Sequence, residues 1–232
     1  MAKIKVMCAR SMHKAVEALT GAFCKQGGHA VALDFGTVGA LEGKIAAGES
    51  ADVLILSVPA IEKLEKAGAL ASGARANVAR TFIAVCVREG TPAPDIATPA
   101  AFERTLRSAH SIALSDPAVG GSAGVYLVGL FERLGLAETI AAKGMLQKSG
   151  VEVARRVVEG KADLGLTLSG EIASVPGAAI AGPLPPPLGN DTIYCVAISA
   201  ASSERVAAKD FIGALTAPAT RATWVAAGFE LP

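Results

Sequence analysis

The amino-acid sequence predicts an α/β protein with two lobes and a ligand cleft between them. Short apolar runs typical of strands alternate with amphipathic helical patterns along the chain. Several of the strand-to-helix turns carry glycine together with serine or threonine. Longer apolar strands at 82–87 and 192–198 are expected to cross from one lobe to the other. We therefore expect lobe one at 1–81 plus 191–232 and lobe two at 82–190, with hinge closure over a ligand.

Three strand–helix units open the chain. Their strands are predicted at 3–8, 29–35 and 52–56, and the following helices at 12–25, 40–47 and 60–67. Each turn holds a hydroxyl residue: Ser11, Thr37 and Ser57. Ser11 is placed to cap the first helix, and Arg10 stands beside it. Because ligands in open α/β sheets bind beyond the carboxyl ends of strands, we assign these four side chains to ligand binding.

The second half continues the alternation. A helix begins after Thr98-Pro99, a cap residue followed by proline in the first turn. The three prolines at 185–187 predict an extended connector at 184–188. The remaining strands are predicted at 82–87, 112–114, 143–147, 162–168, 179–183 and 192–198, and the helices at 100–108, 125–135, 152–159, 204–215 and 220–227.

The stretch at 115–126 is the strongest candidate for a binding turn. It joins a short apolar strand to a helical pattern and contains three glycines. Ser122 is a suitable N-cap, and the amides of Ala123 and Gly124 would open the helix. Free N–H groups at a helix start favour an anion. The structural alternative is an ordinary strand-to-helix turn without a ligand.

Composition excludes several classes of protein. The net charge is +1, lysine and arginine do not cluster, and aromatic residues make up 4%, so we expect no nucleic-acid binding. No apolar run reaches the ~18 residues of a membrane span. The four cysteines show no C-x-x-C spacing, which predicts buried free thiols and no metal site. No cofactor is expected. The N-terminus lacks an apolar export region, which predicts a cytoplasmic protein, or a periplasmic one if the chain has been shortened.

Six segments, in order along the chain, resemble the type 2 periplasmic-binding-protein fold and its molybdate-binding-protein-like branch. They are ARS at 9–11, FGTVGAL at 35–41, ADVLILS at 51–57, DP at 116–117 with SAGVY at 122–126, EGKADLG at 159–165 and IYCVAI at 193–198. The resemblance implies oxyanion binding by hydroxyls and backbone N–H groups at helix starts. The corresponding positions are Ser11, Thr37, Ala123 and Val151.

Three differences from the molybdate binders argue against molybdate as the ligand. The export signal is missing. The molybdate binders place a tyrosine just after the strand at 164–167, and that position falls near Leu168 in this chain. Arg10 stands beside the first site serine, Ser11. The chain is similar instead to an aconitate-isomerase-like subgroup, in SDPAVGGS at 115–122, GPLP at 182–185 and a Ser-Glu element at 169–171. This subgroup implies a double-bond shift along an unsaturated tricarboxylate.

Two functions follow, and the first is an isomerase that moves a proton on a small polycarboxylate. Such a reaction needs one group that takes the proton and one that returns it. The candidates are His13, Glu171, Tyr194 and Asp191, with Ser169 beside Glu171 as a ligand-binding residue. Each catalytic candidate has an alternative role: His13 as a solvated helix residue, Glu171 as a surface carboxylate, Tyr194 in packing, and Asp191 at a turn. Arg10 is the best carboxylate anchor, since its planar fork suits a bidentate pair; a surface salt bridge is its alternative.

The second function is a solute-binding protein without catalysis. It would bind a molybdate-like oxyanion or a carboxylate and, if exported, would deliver it to the permease of an ABC transporter. In both cases the expected partner is a small anionic molecule.

Overall fold

Strands and helices alternate along the computed structural model, which describes residues 2–119 and 121–231 and, of Ala74, only the backbone. The strands are β1 (Lys3–Ala9), β2 (Ala30–Gly36), β3 (Val53–Ser57), β4 (Leu70–Arg88), β5 (Ile112–Ser115), β6 (Gly144–Gln147), β7 (Leu164–Leu168), β8 (Ala178–Pro183) and β9 (Asp191–Ser199). The α-helices are α1 (His13–Gly27), α2 (Val38–Ala46), α3 (Val58–Lys66), α4 (Pro99–Ser108), α5 (Ser122–Arg133), α6 (Ala137–Lys143), α7 (Gly150–Val158), α8 (Ser169–Ala173), α9 (Arg205–Thr216) and α10 (Arg221–Ala226). The predicted α/β class is confirmed.

The chain forms two compact units. Unit 1 consists of Met1–Thr81 with Thr192–Pro232, and unit 2 of Phe82–Asp191. The chain leaves unit 1 within β4 and returns to it at the start of β9. Each unit has its own sheet order and its own buried core.

Unit 1 has strand order β2-β1-β3-β9, with β4 next to β9. Strand β1 runs parallel to β2 and β3, whereas β9 is antiparallel to β3. Side chains alternate between the faces, as a pleated strand requires. Val6 and Cys8 pack in the core that includes Phe23 of α1 and Phe211 of α9. Met7 points to the opposite face of the sheet. There it packs in a second buried cluster of unit 1, with Leu41 of α2 and Ile61 of α3.

Unit 2 has strand order β4-β7-β5-β6, with β8 also paired to β4. Strand β5 runs parallel to β6 and β7. One face carries Leu114 and Leu166 against α4 and α5, and the other carries Ala113 against α7. A Cβ at Gly165 of β7 would lie 2.9 Å from Val153 of α7, so the absent side chain lets this helix approach the sheet closely.

Two predicted elements differ from the structure. Strand β4 begins at Leu70 rather than at 82, because pairing with β9 orders a stretch rich in alanine, glycine and serine that has little strand propensity of its own. The extended connector predicted at 184–188 is wrong. Leu188 N donates to Pro185 O at 2.7 Å in a turn that buries both Leu184 and Leu188 in the core of unit 2.

Among the described residues, no helix combines the length and apolar character that a membrane span requires.

The cysteines are free, and Cys8, Cys86 and Cys195 are buried, whereas Cys24 is half-buried. Burial raises the pKa of the Cys86 thiol to about 12 and raises the pKa of Cys8 and Cys195 as well. These three thiols therefore stay protonated and unreactive at neutral pH.

The buried thiols predict a loss of stability in alkali. In the unfolded chain a thiol loses its proton near pH 8.5, whereas folded Cys86 keeps it to about pH 12. The free energy of unfolding therefore falls by about 1.4 kcal/mol per pH unit within that window on account of the Cys86 thiol, and none of this loss occurs below it. Urea unfolding at about pH 8 and about pH 10 measures the fall. Cys86→Ala should reduce its slope, and an unchanged slope would contradict the assignment.

Candidate functional site

In unit 1, the predicted hydroxyl residues lie at one edge of the sheet. Strands β1, β2 and β3 are parallel, so their carboxyl ends meet there. Ala9 pairs in register with Gly36, which places Arg10 and Thr37 just beyond neighbouring strand ends. Ser57, the last residue of β3, pairs with Tyr194 of β9. We refer to this set as the unit 1 edge.

Ser11 and Tyr194 are in direct contact. Ser11 Oγ donates to Tyr194 Oη at 2.7 Å, and both side chains are buried. The prediction that Ser11 caps the first helix is wrong, because a short 3-10 turn, Arg10–Met12, precedes α1 and directs the hydroxyl toward Tyr194. Only 1% of Tyr194 is exposed, so we assign it to holding Ser11 in place rather than to contact with a ligand.

Arg10 and His13 both contact Phe35 at the end of β2. Arg10 is exposed, and its Nη2 donates to the Phe35 carbonyl at 3.2 Å. In the described part of the chain no carboxylate pairs with Arg10, so the salt-bridge alternative is wrong there. His13 Nε2 lies 3.1 Å from Glu17 Oε1, and about half of the His13 side chain is exposed. The His13 and Phe35 rings pack edge-on, with 4.8 Å between their centroids. This placement matches the solvated alternative for His13.

The other two hydroxyls of the unit 1 edge differ in their contacts. Thr37 Oγ1 accepts from Ala40 N at 3.2 Å and so caps α2. Ser57 precedes α3, is half-buried and makes no capping hydrogen bond. A hydroxyl that accepts a capping bond keeps its O–H as a donor, so the cap does not rank these two hydroxyls as ligand donors.

In unit 2, three helices begin at one edge of the sheet. Ser115 at the end of β5 pairs with Gln147 at the end of β6, and Leu114 pairs with Leu166 of β7. Helices α5, α7 and α8 follow these three parallel strands and start beyond their carboxyl ends. We refer to this arrangement as the unit 2 edge.

Helix α5 opens with three amides that could bind an anion. Its N-cap is Gly121, so the prediction that Ser122 caps the helix is wrong, and Ser122 is instead its first residue. The N–H groups of Ser122, Ala123 and Gly124 have no hydrogen-bond partner among residues 2–119 and 121–231. Gly120, part of the predicted turn, lies outside the described residues. These amides are the donors that a carboxylate or an oxyanion requires.

Glu171, in the first turn of α8, is a buried carboxylate with defined contacts. Its Oε2 accepts from Thr167 Oγ1 at 2.6 Å, and its Oε1 accepts from Gly150 N at 3.2 Å. Ser115 Oγ lies 3.4 Å from the same Thr167 hydroxyl. Only 8% of Glu171 is exposed, so the surface-carboxylate alternative is wrong. A side chain at position 150 would collide with Glu171 and Thr167, so the carboxylate needs the glycine.

The remaining candidates differ in how accessible they are. Val151 N, next to Gly150, has no hydrogen-bond partner in the described part of the chain. Ser169 is fully buried, so its hydroxyl does not reach solvent. Asp191 is the exposed first residue of β9. Within 2–119 and 121–231, no group of three or more His, Cys, Asp or Glu side chains is placed to hold a metal ion.

Sequence reasoning missed the residues that hold Glu171. Thr167 carries a hydroxyl inside an otherwise apolar buried strand, and that contrast is a signal that could have singled it out. Gly150 gave no local signal, because its role depends on a side chain 21 positions further along the chain.

A matched pair of glycine substitutions in α5 tests the close approach of this helix to β5. A Cβ at Gly124 would lie 2.6 Å from Ser115 O, whereas at Gly129 the nearest atom is Arg133 Nη1 at 3.5 Å. We expect Gly124→Ala to lower the free energy of unfolding by about 1–3 kcal/mol. Gly129→Ala should raise it by about 0.4–1 kcal/mol. Urea unfolding measures both, and equal effects would contradict the close approach.

Comparison with known proteins shows the family and the fold. The family model described as bacterial extracellular solute-binding protein matches residues 4–230. An aconitate isomerase from a Pseudomonas species is 36% identical over 174 residues, which are 73% of this chain and 63% of that protein, so the chain spans less than two thirds of that relative. The periplasmic molybdate-binding protein of Azotobacter vinelandii is 25% identical, with a TM-score of 0.80 over 99% of both chains. The sulfate-binding protein of Mycobacterium tuberculosis is 19% identical, with a TM-score of 0.73 over 100% of this chain and 87% of that one.

These likenesses confirm the predicted type 2 periplasmic-binding-protein fold. The family match runs almost from end to end and covers both units. The chain belongs to the bacterial extracellular solute-binding protein family.

Proposed function

We propose that this chain is an isomerase that moves a double bond along an unsaturated polycarboxylate such as aconitate. The similarity to an aconitate isomerase supports the substrate class. The observation that carries the proposal is Glu171, a buried carboxylate whose two oxygens are each held by a donor at the unit 2 edge. A fixed carboxylate next to the amide donors of helix starts combines a proton acceptor with groups that bind an anion.

The reaction needs two proton transfers and no redox step. A base removes a proton from the saturated carbon next to the double bond, the electron pair of the broken C–H bond forms the new double bond, and a proton adds at the far carbon of the former one. Glu171 is the base in this proposal. Its protonated form then returns the proton to the far carbon.

The carboxylates of the substrate are bound by groups that donate hydrogen bonds or carry positive charge. The Arg10 guanidinium has a fork that fits a carboxylate, and Ser57 offers a hydroxyl at the same edge. At the unit 2 edge, the Ser122, Ala123 and Gly124 amides are donors for a carboxylate of the substrate. A polycarboxylate bound to these unit 2 amides would leave its C–H carbon for Glu171, which lies at the same edge.

Proton NMR of cis- and trans-aconitate in D₂O tests the proposal. We expect the vinyl signals of one isomer to convert into those of the other in the presence of the protein, and not with heat-inactivated protein. Retention of hydrogen at the product carbon would indicate that Glu171 both takes and returns the proton. Incorporation of deuterium would indicate exchange with solvent or a separate acid. Binding of aconitate without any conversion would contradict the proposal.

A second candidate function is a receptor without catalysis. The family description and the molybdate- and sulfate-binding neighbours favour it. In this case the chain would hold a small anion and pass it to an ABC transporter permease. A thermal-shift screen of oxyanions and di- and tricarboxylates separates the ligand classes, since a ligand at 100 times its Kd adds about 2.7 kcal/mol of stability. An oxyanion that stabilises the protein, together with no turnover of aconitate, would favour the receptor.

A further inference from the structure

The first amide of helix α7 is already occupied by an anion from the protein itself. Gly150 is the first residue of this nine-residue helix, and its N–H donates to Glu171 Oε1 at 3.2 Å. A helix start with free N–H groups attracts anions from solution. In this chain the positive end of the α7 dipole faces a carboxylate belonging to α8.

The carboxylate is held on both sides and has little freedom to swing away. Thr167 Oγ1 donates to its second oxygen at 2.6 Å. Position 150 has room for the carboxylate only because it is glycine. With 8% of the residue exposed and a donor on each oxygen, Glu171 is a fixed carboxylate at the unit 2 edge rather than a mobile surface group.

Such a charge acts differently on two classes of anion. A tetrahedral oxyanion such as molybdate or sulfate carries charged oxygens on every side, so a place beside Glu171 always sets like charges at contact distance, where repulsion in a partly buried site is strong. A polycarboxylate carries its charges on separate carbons. It can therefore turn a C–H carbon toward Glu171 and keep its carboxylates on the donor groups.

We propose that Glu171 is a specificity-determining residue that excludes fully ionised tetrahedral oxyanions from this site. The inference deepens the proposed function, on which it rests for the class of ligand that is admitted. It also accounts for how a chain with the fold of molybdate- and sulfate-binding proteins would select an organic acid.

Isothermal titration of molybdate and sulfate into the wild type and Glu171→Gln tests the exclusion. The amide keeps the shape of the side chain and removes its charge, so we expect each oxyanion to bind about tenfold or more tightly to the variant. Glu152→Gln is the matched control. Glu152 lies in the first turn of α7, the helix next to Glu171, and its Oε2 accepts from Lys148 N at 3.1 Å. The same change in net charge there should alter the affinity by less than about twofold.

Circular dichroism and thermal unfolding establish first that each variant is folded, and Glu171→Ala provides a second variant without the charge. The proposal is overturned if the wild type binds molybdate or sulfate as tightly as a folded Glu171 variant does, or if Glu152→Gln produces the same gain. This outcome does not depend on turnover. If the Glu171 variants bind oxyanions more tightly but the wild type never isomerises aconitate, the exclusion by Glu171 holds and the isomerase activity is refuted. If the wild type isomerises aconitate but the variants bind oxyanions no more tightly, the isomerase activity holds and the exclusion is refuted.

Discussion

Replacing Glu171 with glutamine should lower kcat for aconitate isomerisation by about 10²- to 10⁴-fold, the usual contribution of a positioned general base. The amide cannot accept a proton from carbon, yet its oxygen can still accept the hydrogen bond from Gly150 N. We therefore expect the affinity for aconitate to change far less than kcat. NMR progress curves give kcat, and isothermal titration gives Kd.

Glu152→Gln serves again as the control, since it removes a carboxylate from the neighbouring helix start without touching Glu171. The pH profile adds a readout that a purely structural role would not change. The limb of the wild-type kcat profile that reports ionisation of the base should disappear in Glu171→Gln. A folded Glu171→Gln protein with wild-type kcat would refute the assignment.

Replacing Arg10 with alanine should weaken aconitate binding by about 10- to 150-fold, the range expected for loss of a charge-assisted hydrogen-bonded pair. The side chain is exposed, is held only by the Phe35 carbonyl and is paired with no carboxylate of the described residues. Arg10→Lys keeps the charge but loses the planar fork, so its affinity should fall between those of the wild type and Arg10→Ala. Isothermal titration with aconitate measures all three proteins.

Arg205→Ala is a matched control for Arg10→Ala. Arg205 is also exposed and also donates from Nη2 to a backbone carbonyl, that of Ala200 at 3.1 Å. Ala200 follows the last residue of β9, whereas Tyr194, which pairs with Ser57 of the unit 1 edge, lies in the first half of that strand. Arg205 is therefore far from the unit 1 edge. Equal losses from the two substitutions, or aconitate binding unchanged by Arg10→Ala, would contradict the role of Arg10.

Elements with a local apolar pattern could be predicted from the sequence, whereas elements ordered by contacts with distant residues could not. The first three strands and their helices could be predicted because apolar periodicity is local, and so could the hydroxyl residues that follow the strands. The first half of β4 could not, since alanine, glycine and serine carry no such pattern and pairing with β9 orders them. The turn at 184–188 likewise forms because Leu184 and Leu188 both reach the core of unit 2, whose other residues lie far away in the chain.

By itself, the sequence determined the α/β class, the strand ends at which polar groups collect, and Glu171 and Arg10 as candidates. Only the tertiary structure decided the roles of these two side chains. Glu171 is buried because parallel pairing to β5 brings the start of α7 beside the end of β7, where Gly150 and Thr167 hold the carboxylate. Arg10 donates to the Phe35 carbonyl of β2 and has no carboxylate partner among the described residues. Contacts of this kind join residues far apart in the chain, and no local pattern encodes them.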